Sequence, residues 1–73
     1  MSRVVAIGEE RRVAGFALAG VDVRPAETAD AVVDEWAGLE GDVGLLVLTP
    51  AAAAALEGRR SEREESVWVT LPE

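Results

Sequence analysis

Asp42-Val43-Gly44-Leu45-Leu46-Val47-Leu48-Thr49-Pro50 is the stretch that decides the fold. Five of its six central residues are aliphatic and the sixth is Gly44, so the run has no polar face to turn to water. It is far too short to span a bilayer. A short, wholly apolar run of this kind fits an inner strand of a parallel sheet, buried on both faces. Its end is chemically sharp: Thr49 can cap a helix by accepting a backbone N–H, and Pro50 falls at the first helical position, where its missing N–H costs nothing. A strand running directly into a capped helix is half of a βα unit.

Outward from that stretch the unit repeats. Arg3 to Ile7 is a second doubly buried strand, and Gly8 makes a tight turn at its carboxyl end. From Glu9 to about Ala19 the period becomes helical, with Val13, Phe16 and Ala17 as the apolar stripe and acidic residues at the start, where the helix dipole favours them. Gly20 stops this helix, and Gly15 inside it is expected to let the helix approach the sheet closely. Val21 to Arg24 alternates like an edge strand before Pro25. Thr28 caps a second helix whose stripe is Ala29, Val32, Val33 and Trp36. After Pro50, five alanines and Leu56 make a third, slim helix, ended by Gly58 and the polar run Arg59 to Glu65. Ser66 to Leu71 alternates again, with Val67, Val69 and Leu71 on one face and Trp68 and Thr70 on the other.

The resulting pattern is βαβαβαβ over a single domain, residues 1–73. The fold class is α/β: a small four-stranded parallel sheet of order 2-1-3-4 with helices on both faces, Rossmann-like or flavodoxin-like. A ligand or partner is expected at the carboxyl ends of the central strands, near Gly8, Glu9, Thr49 and Pro50.

Composition narrows the chemistry. The net charge is -7, and the seven basic residues are all arginines, with no basic stripe for phosphates to follow, so nucleic acid is not an expected partner. No signal-peptide core and no membrane-spanning run is present, which points to a cytoplasmic chain without direct membrane insertion. Histidine, cysteine, lysine and tyrosine are all absent, which removes the commonest bases, nucleophiles and soft-metal ligands. No catalytic residue, no metal site and no cofactor is accordingly expected.

Glu9 and Glu10 are read as a solvated helix start and not as a Mg²⁺ site, because neighbouring positions on a helix do not face each other. Gly8 stands alone, without a phosphate-binding glycine pattern. Arg59, Arg60 and Arg63, interleaved with Glu57, Glu62, Glu64 and Glu65, read as a solvated linker. Trp36 belongs to the core. For Trp68 two readings stand side by side, packing beneath a helix or marking a contact surface.

Val4-Val5-Ala6-Ile7-Gly8-Glu9, the block Gly15-Phe16-Ala17-Leu18-Ala19-Gly20-Val21, Asp42 to Thr49, and the closing Val69-Thr70-Leu71-Pro72 together resemble the globular domain of the F subunit of archaeal-type (A/V-type) rotary ATP synthases. The resemblance covers essentially the whole chain. It implies a non-catalytic subunit on the central stalk, peripheral to the membrane, that couples or regulates ATP turnover and proton or sodium transport, with a central-stalk subunit as partner. The family's C-terminal stalk-binding segment has no counterpart before Glu73. An uncovered fourth strand invites pairing with a second copy, so a homo-oligomer through Trp68 and its edge strand is expected. The partner-interface candidates are therefore Gly8, Glu9, Thr49 and Trp68.

The alternative is a stand-alone receiver-like or small-ligand-sensing interaction domain. Receiver domains carry an acidic phosphoacceptor at the end of the third strand and a lysine nearby. Here Thr49 occupies the strand end and lysine is absent, so this alternative carries no phosphotransfer chemistry.

Overall fold

A computed structural model describes residues 3–73 of the chain. The strands are β1 (Arg3–Gly8), β2 (Asp22–Pro25), β3 (Val43–Leu48) and β4 (Val67–Thr70). They form one sheet of order β2-β1-β3-β4, and every neighbouring pair is parallel. The order and the parallel sense are those read from the sequence. The two most apolar strands take the centre because only there are both faces covered.

Helices α2 (Ala29–Ala37) and α3 (Pro50–Ala55) lie on one face of the sheet, and α1 (Glu10–Val13) lies on the other. The larger core is built from Val5, Ile7, Leu46 and Leu48 of the central strands against Val32, Trp36, Ala52 and Leu56. The smaller gathers Ala6, Val13 and Val47, with Phe16, Leu45 and Leu71 partly buried around them. α1 packs over β1 and β2 and leaves the outer half of this face without a helix. Val67 and Val69 are consequently 61% and 42% exposed.

Both threonine caps form as the sequence indicates. Thr28 Oγ1 accepts the Ala31 N–H at 3.1 Å, and Thr49 Oγ1 accepts the Ala52 N–H at 3.3 Å, with Pro50 at the start of α3.

The first helix departs from expectation. It is one α-helical turn, Glu10–Val13, followed by a 3₁₀ stretch, Ala14–Ala19. A three-residue repeat turns Val13 and Phe16 inward but no further residue, so Ala17 is exposed and Leu18 is 94% exposed. Gly15 does not serve a close approach, since nothing lies within 4 Å of where its Cβ would be. Its effect is to weaken the α-helix locally. Ala29, placed on the apolar stripe of α2, is likewise exposed at the helix start.

The run Arg59 to Glu65 is not a solvated linker. A 3₁₀ turn, Arg60–Arg63, folds it back over the tryptophans. Arg59 and Arg63 place their guanidiniums 5.9 and 5.8 Å from the centre of the Trp36 ring, and Arg60 lies 5.8 Å from that of Trp68. Cation–π contacts of this kind are worth about 0.5–1 kcal/mol at exposed sites. Arg63 also donates to the Leu39 carbonyl at 2.7 Å, and the Ser66 hydroxyl donates to the Val43 carbonyl, fastening the segment to the amino end of β3.

The two edges of the sheet differ in kind. On β2, Asp22 accepts hydrogen bonds from Arg24 at 3.1 Å and pairs with Arg3, while Arg24 reaches Glu35 at 3.4 Å and Pro25 removes an N–H. The Arg24 hydrogen bonds hold the Asp22 carboxyl below its ordinary range. Partly exposed pairs of this sort stabilise little, but a charged edge with a proline resists pairing with another strand. β4, Val-Trp-Val-Thr, carries neither a charge nor a proline.

Candidate functional site

Three of the four sequence candidates meet at the carboxyl ends of β1 and β3. Parallel pairing sets Ile7 beside Leu48, so Gly8 and Thr49 come level as the strands end. The Thr49 N–H donates to the Ile7 carbonyl at 3.3 Å, which holds the two strand ends together. The Thr49 side chain is fully buried and lies flat against the Gly8 backbone; a Cβ at position 8 would fall within 2.9 Å of three of its atoms.

Glu9 follows as the residue before α1, in extended conformation. Thr49 Oγ1 donates to Glu9 Oε1 at 2.6 Å while accepting the Ala52 N–H, so one hydroxyl caps α3 and fastens the start of α1. Glu9 is therefore a tie between two chain segments and not a free, solvated helix start. Glu27, which no sequence pattern singles out, accepts the Glu10 N–H at 2.9 Å and supplies a cap that α1 otherwise lacks. Its role depends on the β2–α2 connection folding back over β1, and no local period announces that.

Beside this junction a cavity of about 340 Å³ opens between α2 and α3, lined by Glu9, Ala26, Thr28, Val32, Ala52 and Ala55 among others. The alanines make its walls low, and the carboxylates of Glu9 and Glu27 stand at its rim. The arrangement offers acceptors and apolar surface. Its one described hydroxyl–carboxylate contact, Thr49 with Glu9, has the threonine fully buried and engaged in capping α3, and among the described residues no group of three or more metal-ligating side chains converges.

The Thr49 hydroxyl bond, with smaller contributions from Arg12 and Arg11, holds the Glu9 carboxyl below its ordinary value of 4.5. A carboxyl whose folded value is depressed stabilises the fold fully above its unfolded value and loses that contribution as pH falls through the folded one. Thr49→Val removes the hydroxyl while keeping the shape, and is expected to cost about 1–2 kcal/mol through the lost cap and the lost carboxylate bond. Thermal melts of wild type and Thr49→Val at a series of pH values check this: the gap between them is widest above pH 4.5 and narrows on acidification below it.

Trp68 lies apart, on β4. It is half-buried and meets Trp36 edge-on with ring centres 6.5 Å apart, its indole N–H donating to the Arg63 carbonyl at 3.4 Å. Of the two readings of this side chain, the geometry is that of packing beneath the helical layer.

The fold and this junction define a small doubly wound α/β domain with a cleft at the carboxyl ends of its central strands. Residues 4–72 match the family of the ATP synthase (F/14-kDa) subunit, and the chain belongs to that family of rotary ATPase components. The crystal structure of the F subunit of the V-type ATP synthase from Archaeoglobus fulgidus is similar, with a TM-score of 0.77 at 20% identity, over 97% of this chain and 98% of that one. At that identity the likeness speaks for the fold. No curated protein matches the sequence. Among the described residues, no helix is long and apolar enough to cross a membrane.

Proposed function

We infer that the chain is a non-catalytic central-stalk subunit of a V/A-type rotary ATP synthase, coupling or regulating ATP turnover and proton or sodium transport. The observation that carries this reading is the family match over residues 4–72. Gly8 and Thr49 are buried and tie strands and helices together, and the surface this end of the sheet offers a partner is that of Glu9 with the exposed Glu27 and Thr28 beside it. In this reading the subunit is cytoplasmic and peripheral to the membrane, and the globular domain docks through the end of the sheet that carries Gly8, Glu9 and Thr49. A copy of the chain itself, paired along β4, is a second and separate proposed partner, supported by the exposure of Val67 and Val69.

Native mass spectrometry of the chain mixed with the central-stalk subunit of the same organism tests the stalk role. A one-to-one complex is expected, and Glu9→Arg, which reverses the charge at the rim of the cleft, is expected to weaken it. A folded chain that forms no complex overturns docking by this domain.

A further inference from the structure

We propose that two copies of this chain pair antiparallel along β4, in a register that sets Val69 against itself at a two-fold axis and fuses the two sheets into one of eight strands. The proposal rests on the self-association reading and is independent of the stalk role.

The hydrogen-bonding geometry of β4 fixes the register. The Leu71 N–H donates to the Leu48 carbonyl at 2.8 Å, so Leu71 faces β3. Successive peptide groups of a strand face opposite ways. Val67 and Val69 therefore also turn their backbone groups to β3, and Trp68 and Thr70 turn theirs to the open edge. The outer position of the Trp68 carbonyl is visible directly, because Arg60 Nη2 reaches it from outside at 3.5 Å.

A closed pair of identical edges requires a two-fold axis, and hence antiparallel strands. Setting Trp68 opposite Thr70 of the second copy engages every outward N–H and C=O of both residues in both copies. Sliding one way sets Thr70 opposite Ser66, whose N–H is already given to the Arg63 carbonyl. Sliding the other way sets Trp68 opposite Pro72, which has no N–H and whose carbonyl already accepts from Arg12. Only the middle register leaves nothing unpaired.

In that register Val69 faces Val69 as a non-hydrogen-bonded pair, with Cα atoms about 4.5 Å apart. Val67 faces Leu71 of the second copy. Val67 and Val69 are exposed and Leu71 is partly buried on the half of the face that α1 does not cover, so pairing joins two apolar strips into one. The occupant is a second β4 because the edge matches itself in hydrogen bonds and in apolar side chains. The opposite edge, with Asp22, Arg24 and Pro25, offers no such match. Arg60, whose single long hydrogen bond covers the Trp68 carbonyl, is the group that yields on pairing.

Sedimentation equilibrium of the full chain tests both parts. Wild type is expected to rise toward twice its 7.7 kDa mass as concentration approaches millimolar, more readily in high salt, which screens the repulsion between two chains of net charge -7. Val69→Lys and Val69→Glu each place like charges face to face across the axis and are expected to stay monomeric, with melts close to wild type because Val69 is an exposed edge residue. An equimolar mixture of the two is expected to pair again, since Lys then meets Glu. A wild type that stays monomeric at millimolar concentration overturns self-association. Single variants that associate as wild type does, or a mixture that fails to restore pairing, overturn the register.

Discussion

Replacing Leu46 with alanine is expected to remove a large share of the domain's stability, between about a fifth and the whole of it. Leu46 sits at the middle of β3, fully buried, with Val5 beside it across the β1–β3 pair and α2 and α3 above it. Removing its branched end costs about 2–5 kcal/mol, because the lining of a close-packed core does not collapse to fill the space. A domain of 73 residues has roughly 4–11 kcal/mol in total to lose, at about 0.05–0.15 kcal/mol per residue. Urea titration followed by circular dichroism measures the loss, and Leu18→Ala is the control. Leu18 is equally apolar but 94% exposed, so its removal is expected to change stability by no more than about 0.5 kcal/mol. If the two substitutions cost the same, the assignment of β3 to the core is wrong.

Gly8→Ala is expected to be strongly destabilising although it adds a single methyl group. The new Cβ falls within 2.9 Å of three atoms of the Thr49 side chain, which is short, branched and fully buried, and therefore has no room to turn away. Overpacking of this kind costs about 1–3 kcal/mol. At about 4–8 °C per kcal/mol for a domain of this size, the melting temperature drops correspondingly. Moving Thr49 also pulls its hydroxyl from Glu9 Oε1 and from the Ala52 N–H, so the damage reaches both α1 and α3. Combining Gly8→Ala with Thr49→Ser, which deletes the clashing methyl and keeps the hydroxyl, is expected to recover part of the loss. A melting temperature unchanged by Gly8→Ala contradicts the contact.

Much of this fold is legible in the chain itself, and the reason is local. The run Val43 to Leu48 with Thr49 and Pro50 behind it contains its own strand, its own stop and its own cap, and all three are observed. The parallel order follows from which strands are wholly apolar. Less is legible where the outcome depends on a distant segment. Gly8 reads as a turn, while the physical demand on it comes from Thr49 across the sheet. The tie from Thr49 to Glu9 and the cap from Glu27 to the Glu10 N–H join segments far apart in sequence, so no spacing rule signals them. Arg59, Arg60 and Arg63 read as solvated because glutamates alternate with them, yet aromatic faces supplied by α2 and β4 draw them in. The 3₁₀ turn after Val13 differs from a continued α-helix by one hydrogen-bond step, too small a difference for a hydrophobic stripe to register.

The uneven covering of the sheet separates what can be seen from what moves first. Both tryptophans report from the face that carries α2 and α3. The segment Ala14–Ala19 on the far face has no buried residue and is bounded by a left-handed turn at Gly20. A segment with so little to hold it opens with a small free energy, well below that of the whole domain. Intrinsic fluorescence would report a single cooperative loss of structure and pass over that earlier opening. Amide exchange along Ala14 to Gly20 would register it, and a partner that clasps this face would be recognised by the slowing of exchange there, with the tryptophan signal unchanged.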